Sequence, residues 1–168
     1  WAEQKPEEWW IHCCNAVAKL KKKYAISRTQ IKGIGISYQM HGLVLVDRNG
    51  APLRKSIIWC DSRAVAIGNE AFQSGIMWDF KNDTVADFLL EHYGIDAALV
   101  PDIVDTFGLQ STVDEKGELE IGLVAGTPIF YRAGDQPNNA LSLNVFNPGE
   151  VAATGGTSGV VYAVTDNL

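Results

Sequence analysis

Long apolar runs are missing from this sequence of 168 residues. None approaches the length of a membrane span, so the expectation is a soluble chain with no transmembrane helix. Cysteine is scarce. Cys13, Cys14 and Cys60 are odd in number and lack C-x-x-C spacing, which excludes a disulfide framework and a cysteine zinc site. Reduced thiols in a cytoplasmic protein are expected instead. Positive charge is in the minority, 14 Lys and Arg against 20 Asp and Glu, for a net charge of −6. That balance argues against a general nucleic-acid or anionic-membrane partner while leaving room for a local anion site. The opening "WAEQKPEE" is acidic where a signal peptide is basic and then apolar. No internal repeat and no low-complexity segment is visible. An apolar fraction of 46% with 20% charged residues belongs to a globular chain with a real core, not to a disordered one.

What is present alternates between helix and strand signals. Pro6 followed by Glu7 and Glu8 starts a helix, because Pro suits the first turn and the carboxylates face the positive end of the dipole. Apolar residues recur at Trp10, Cys13, Cys14, Val17 and Leu20, and Lys21, Lys22 and Lys23 close the last turn. The spacing predicts an amphipathic helix packed on one face, and the lysines read as a solvated helix end. Strands are predicted near Ile31–Tyr38, over Leu43–Val46 and over 56–59, with the Asn-Gly of "DRNG" (47–50) as a turn. Helices are predicted over 62–72, over 82–94 (Asn82 or Asp83 at its start, Gly94 past its end) and over 138–146. A strand is predicted over 127–135, and two strands joined by a Gly/Thr/Ser loop over 150–164. Such alternation indicates an α/β protein.

Three stretches carry chemical potential. In "ATGGTSGVV" (153–161) paired glycines free backbone N–H groups, and the hydroxyls of Thr157 and Ser158 follow. A loop of this kind can wrap phosphate oxygens, but it is no Walker A loop, since no lysine and no helix follow. A plain Gly-rich hairpin turn is the competing reading. In "YRAGDQPNNA" (131–140) Asp135 follows a glycine at the end of a strand, where open α/β sheets put their ligands. A carboxylate there can take a hydroxyl proton or simply cap the next helix. Third, Gln39, Met40, His41 and Gly42 sit between two strands, and "WCDSR" (59–63) adds an indole, a carboxylate and a guanidinium. Together these groups can line a small polar pocket. A core histidine and a routine Asp61–Arg63 surface pair are the competing reading.

Taken in order, "QMHG", "LVLVDRNGAPLRKSIIWCDSRA", "GIDAALVPDIVDTFG", "GLVAGTPIFYRAGDQ" and "NPGEVAATGGTSGVVYAV" resemble the FGGY carbohydrate kinases over nearly the whole chain. The resemblance implies a ribonuclease H-like α/β fold of the actin, hexokinase and Hsp70 ATPase type. Residues 1–145 would be a partial N-terminal sugar-binding domain, and 146–168 the first hairpin of a nucleotide-binding domain. Gln-Met-His-Gly points to a pentulose, so the implied reaction is ATP-dependent phosphorylation of the terminal hydroxyl of D-xylulose. By the resemblance, Met40 and His41 contact the ketose beside Gln39, and Trp59, Asp61 and Arg63 belong to a motif next to the sugar. Asp135 is the base, and Gly155, Gly156, Thr157 and Ser158 fall in the loop that holds ATP. In such a site Gln39 and His41 would hydrogen-bond hydroxyls, Met40 would offer an apolar surface to the C–H face, and Gly42 would let the backbone approach closely. The implied partners are a sugar and ATP, with Mg²⁺ as cofactor, no nucleic acid and no membrane; a homodimer is compatible with the resemblance.

The sequence also departs from that family. The acidic, Gly-Thr-rich phosphate loop that helps place the metal in that family is expected in a segment before Trp1 that these residues do not include, so no metal ligand is assignable. The stretch between Phe72 and "WDF" is short, reduced to Gln73 and Ser74 before the Gly- and Trp-containing segment. Most of a second nucleotide-clamping domain is not found before Leu168. The expectation is that these residues are an incomplete record of a longer chain joined near 72–74, and that a chain of only this length would not phosphorylate D-xylulose. The rivals are a sister kinase for gluconate, glycerol or another pentulose, a non-catalytic actin-like module, and a fragment that only binds sugar.

Overall fold

A computed structural model describes residues 1–40, 42–63, 78–79, 81–155 and 159–167. Its central sheet has three strands in the order β2–β7–β6: β2 (Ile34–Tyr38), β7 (Pro128–Gly134) and β6 (Phe107–Thr112). β7 is the middle strand. It runs parallel to β2, with Tyr38 opposite Gly134, and antiparallel to β6, with Phe107 opposite Tyr131. The rings of Phe107 and Tyr131 stack with centroids 5.1 Å apart, a cross-strand aromatic pair that supports this register. A parallel neighbour requires a crossover connection, so β2 and β7 meet across most of the chain's length.

Small sheets surround this centre. β1 (Glu3–Gln4) pairs antiparallel with β3 (Ser56–Ile57), and β4 (Trp78–Asp79) with β5 (Thr84–Val85). β8 (Val151–Gly155) and β9 (Gly159–Ala163) form the two strands expected around the Gly/Thr/Ser stretch. The helices are α1 (Pro6–Lys23), α2 (Asp87–His92), α3 (Glu115–Ile121) and α4 (Asp135–Ser142). α4 packs against β2, β7, β8 and β9 and so bridges the sheet and the hairpin. Ala133, Gly134, Ala140 and Ala152 are all buried, small side chains where helix and strands approach closely. A closed turn links α4 to the hairpin. The Glu150 carboxylate accepts N–H bonds from Phe146 at 2.7 Å and Asn147 at 2.9 Å, and the Asn147 bonds hold its pKa below the usual carboxylate range.

Several expectations are corrected. The strand over Leu43–Val46 is reduced to isolated bridges, Leu43 with Ile57 and Val46 with Pro52, and its four apolar side chains are exposed. The helix expected from 82 starts at Asp87. Asp79 accepts the Lys81 and Asn82 N–H groups, and Asp83 takes a φ of +52°, so the chain reverses and Thr84–Val85 pairs with β4 before any helix begins. The helix expected over 138–146 starts three residues earlier, at Asp135, and ends at Ser142. α1 has its expected start and end, yet none of its residues is buried; it touches α3, where Trp10 donates to Glu120 and Lys21 to the Gly122 carbonyl. The helix expected over 62–72 lies outside the described residues from 64 onward. No described helix is long and apolar enough to cross a membrane.

Candidate active site

The chemistry collects where the parallel strands β2 and β7 both end. Open α/β sheets bind ligands outside the carboxyl ends of such strands, because loops leaving them diverge and helix N-termini converge there. β2 delivers Gln39 and Met40 directly after Tyr38, and β7 delivers Asp135 directly after Gly134, the residue paired with Tyr38. Met40 therefore comes from the strand end neighbouring Asp135. Its side chain lies on Gly134: a Cβ built on that glycine would stand 2.5 Å from Met40 Cγ and 2.8 Å from Sδ.

Asp135 is exposed and is the first residue of α4. It does not cap that helix, since Gly134 holds the cap position and no side-chain cap bond forms. The positive end of the helix dipole favours an ionised carboxylate at this place. Among the described residues Asp135 has no cationic partner; Gln136 Nε2 donates to its Oδ2 at 3.2 Å. Asp135 is thus an exposed carboxylate at a helix start whose one side-chain bond among the described residues comes from Gln136.

Gln39 joins the two stretches expected to meet the sugar. The Trp59 backbone N–H donates to Gln39 Oε1 at 3.3 Å, which leaves the Gln39 amide N–H groups for another acceptor. The Trp59 indole is 62% exposed, an apolar surface beside that amide. An open cavity of about 500 Å³ lies alongside, lined by Trp9, Cys13, Ser37, Tyr38, Gln39 and Gly42 among others.

Asp61 and Arg63 are differently placed. Arg63 Nε donates to Asp61 Oδ1 at 2.9 Å and Oδ2 at 3.1 Å, and Arg63 also donates to Glu3 Oε1 at 2.9 Å. The Ala2 N–H reaches Asp61 Oδ2 at 2.5 Å, and the Trp1 ring lies 4.3 Å from the guanidinium carbon. Arg54 adds a second bond to Glu3 at 3.0 Å. The Asp61 side chain is only 2% exposed. The Arg63 hydrogen bonds, followed by the Ala2 N–H, hold its pKa far below the usual carboxylate range, and Arg63 lowers Glu3 as well. This constellation fastens β1 to the end of β3.

His41, Gly156, Thr157 and Ser158 lie outside the described residues. Gly155 ends β8 opposite Gly159, with open space around the position a Cβ would take. Among the described residues no group of three or more His, Cys, Asp or Glu side chains can hold a metal ion. Gly134 and Gln136, both inside "AGDQ", flank the acid, the first under Met40 and the second donating to the carboxylate, roles that the sequence pattern does not mark.

Comparison with known proteins sharpens this picture. Residues 1–85 match the N-terminal domain of the FGGY family of carbohydrate kinases. The chain belongs to that family. Xylulose kinase of Staphylococcus epidermidis is 46% identical over 63 residues, covering 38% of this chain and 13% of that protein. Xylulose kinase of Streptomyces rubiginosus is 25% identical over 228 aligned positions, covering 97% of this chain and 46% of that one. That alignment is longer than the FGGY chain itself, so the relative carries residues with no counterpart here. The crystal structure of xylulose kinase from Rhodospirillum rubrum superposes with a TM-score of 0.81 at 21% identity, covering 96% of this chain and 46% of its own. The likeness carries the fold, and the expected actin- and hexokinase-type α/β architecture holds. The chain spans less than half the length of these relatives.

Proposed function

We propose that this FGGY chain supplies the sugar side of an ATP-dependent kinase that phosphorylates the terminal hydroxyl of a pentulose, D-xylulose first. The observation that carries the reading is that Met40 and Asp135 follow adjacent parallel strand ends, with the Met40 side chain lying on Gly134, the residue before the acid. Asp135 accepts the proton of the hydroxyl as its oxygen attacks the γ-phosphorus of ATP. The phosphorus–oxygen bond to ADP breaks, and ADP leaves with the electron pair. Such a transfer needs alignment and charge stabilisation more than covalent help. Gln39 donates to sugar hydroxyls, Met40 covers a C–H face, and His41 joins them. Trp59 borders the site through its bond to Gln39. Asp61 and Arg63 act by holding the segment after β3 in place, since their hydrogen-bonding capacity is directed at each other, at Glu3 and at Ala2. Residues 1–145 are assigned to the sugar-binding side. Residues 146–168, through Gly155, Gly156, Thr157 and Ser158, are assigned to the ATP side.

The test, made on a protein that carries this chain within a kinase of its relatives' full length, is a coupled assay of ADP release with D-xylulose, other pentuloses, gluconate and glycerol, alongside calorimetric titration of each sugar. Preferred turnover of D-xylulose supports the reading. Preference for gluconate or glycerol moves the chain to a sister activity, and sugar binding without ADP release reduces it to a binding module.

A further inference from the structure

Gly134 has no conformational reason to be glycine. Its φ of −59° and ψ of 160° are open to any residue. The constraint is spatial. A methyl group there would lie 2.5 Å from Met40 Cγ, 2.8 Å from Sδ and 3.6 Å from Cε. The first atom lies near the stem of the side chain, so relief requires a new Met40 rotamer rather than a small movement of its tip. The backbone has little freedom to yield instead, because Gly134 is buried and paired in the ladder with Tyr38. Asp135 follows immediately, so the rotamer that glycine permits is the one that lays the thioether on the residue before the acid.

We infer that Gly134 is a positioning residue: by lacking a side chain, it holds the Met40 thioether across the ends of β2 and β7 and so shapes the apolar wall that a sugar meets beside Asp135. The inference rests on the sugar-kinase reading for its consequence and on geometry alone for the contact. Gly134→Ala keeps the backbone and adds only the clashing methyl. Met40→Ala removes all three clashing atoms, so the double variant accommodates the methyl. Acting through Met40, Gly134→Ala should raise KM for the sugar about tenfold, with a smaller fall in kcat, and lose most of that effect in the Met40→Ala background.

Contact and consequence can be read separately. The sequence contains two methionines, Met40 and Met77, so methyl-¹³C methionine labelling gives two signals, and Met77→Leu identifies that of Met40. Gly134→Ala should shift the Met40 methyl resonance, and Gly134→Ala and Met40→Ala should be non-additive in Tm. An unmoved resonance, or additive effects on Tm, overturns the inference whatever the protein's activity. A shifted resonance with unchanged sugar affinity and KM overturns the role in shaping the sugar site. Lack of turnover and of binding for every sugar in the wild-type protein sinks the kinase reading instead, while resonance and Tm still decide the contact.

Discussion

Two parts of this FGGY chain, both resembling sugar-site motifs in sequence, use their polar groups in opposite ways. At the ends of β2 and β7, Asp135 stands exposed with no cationic partner among the described residues, and among those residues the Gln39 amide donors have no acceptor. At the end of β3, Asp61, Arg63 and Glu3 spend their hydrogen bonds on one another and on the Ala2 N–H. A side chain can serve a ligand only with capacity its own fold leaves unused. The second region holds the segment after β3 to β1, while the first keeps polar groups exposed.

Substitutions can break or sharpen that contrast. The largest effect is expected at Asp135: Asp135→Ala should lower kcat by about 10²- to 10⁴-fold, the range for a positioned base, while calorimetry finds sugar affinity near the wild-type value. A near-normal kcat would place the base elsewhere. Gln39→Ala should raise KM for the sugar by up to about tenfold, the worth of one or two neutral hydrogen bonds, and leave kcat largely unchanged. A fall in kcat with constant KM would count against a binding role.

The ion-paired corner should answer to pH rather than to substrate. Folding depresses the pKa values of Asp61 and Glu3. Their stabilisation is therefore fully present above the unfolded carboxylate range of about 3.9 to 4.3 and is lost as pH falls through the lower folded values. Tm should decline steeply below about pH 4. Asp61→Asn should lower Tm at neutral pH and flatten the acid decline; identical acid limbs in both proteins would remove Asp61 from the account. The smallest effect is expected at Lys116, whose exposed ammonium lies 4.0 Å from Glu120. Lys116→Ala should leave Tm unchanged within error, because exposed pairs contribute little; a clear loss would make this pair within α3 more important than its exposure implies.

Legibility followed how local each determinant is. Pro6, Glu7 and Glu8 with the terminal lysines marked α1 within two residues, and the run Pro128–Gly134 marked β7. β6 and α3 carry weak sequence signals: in Phe107–Thr112 the apolar alternation stops after Phe107 and Leu109, and "EKGELEI" looks like charged loop. The signals for α3 were its brackets, Asp114 accepting the Gly117 N–H at 2.7 Å and Gly122 at a φ of +70°. The helix after Asn82 begins later than its capping residues suggest, because the Asp79 carboxylate closes a local turn over Lys81 and Asn82 and Thr84–Val85 pairs back with β4. Asp135 was legible as an acid behind a glycine, but its freedom from the cap role was not.

By itself the sequence determined the α/β alternation, the family and the residue types at each strand end, because propensity, turn chemistry and motif order are local properties. Tertiary structure alone decided which motif stays chemically free. The parallel register brings Gly134 beneath Met40 from about a hundred residues away, and the return of the N-terminus to Asp61 closes the other corner. Pairing across that distance depends on the packing of the whole sheet, which no short stretch of sequence contains.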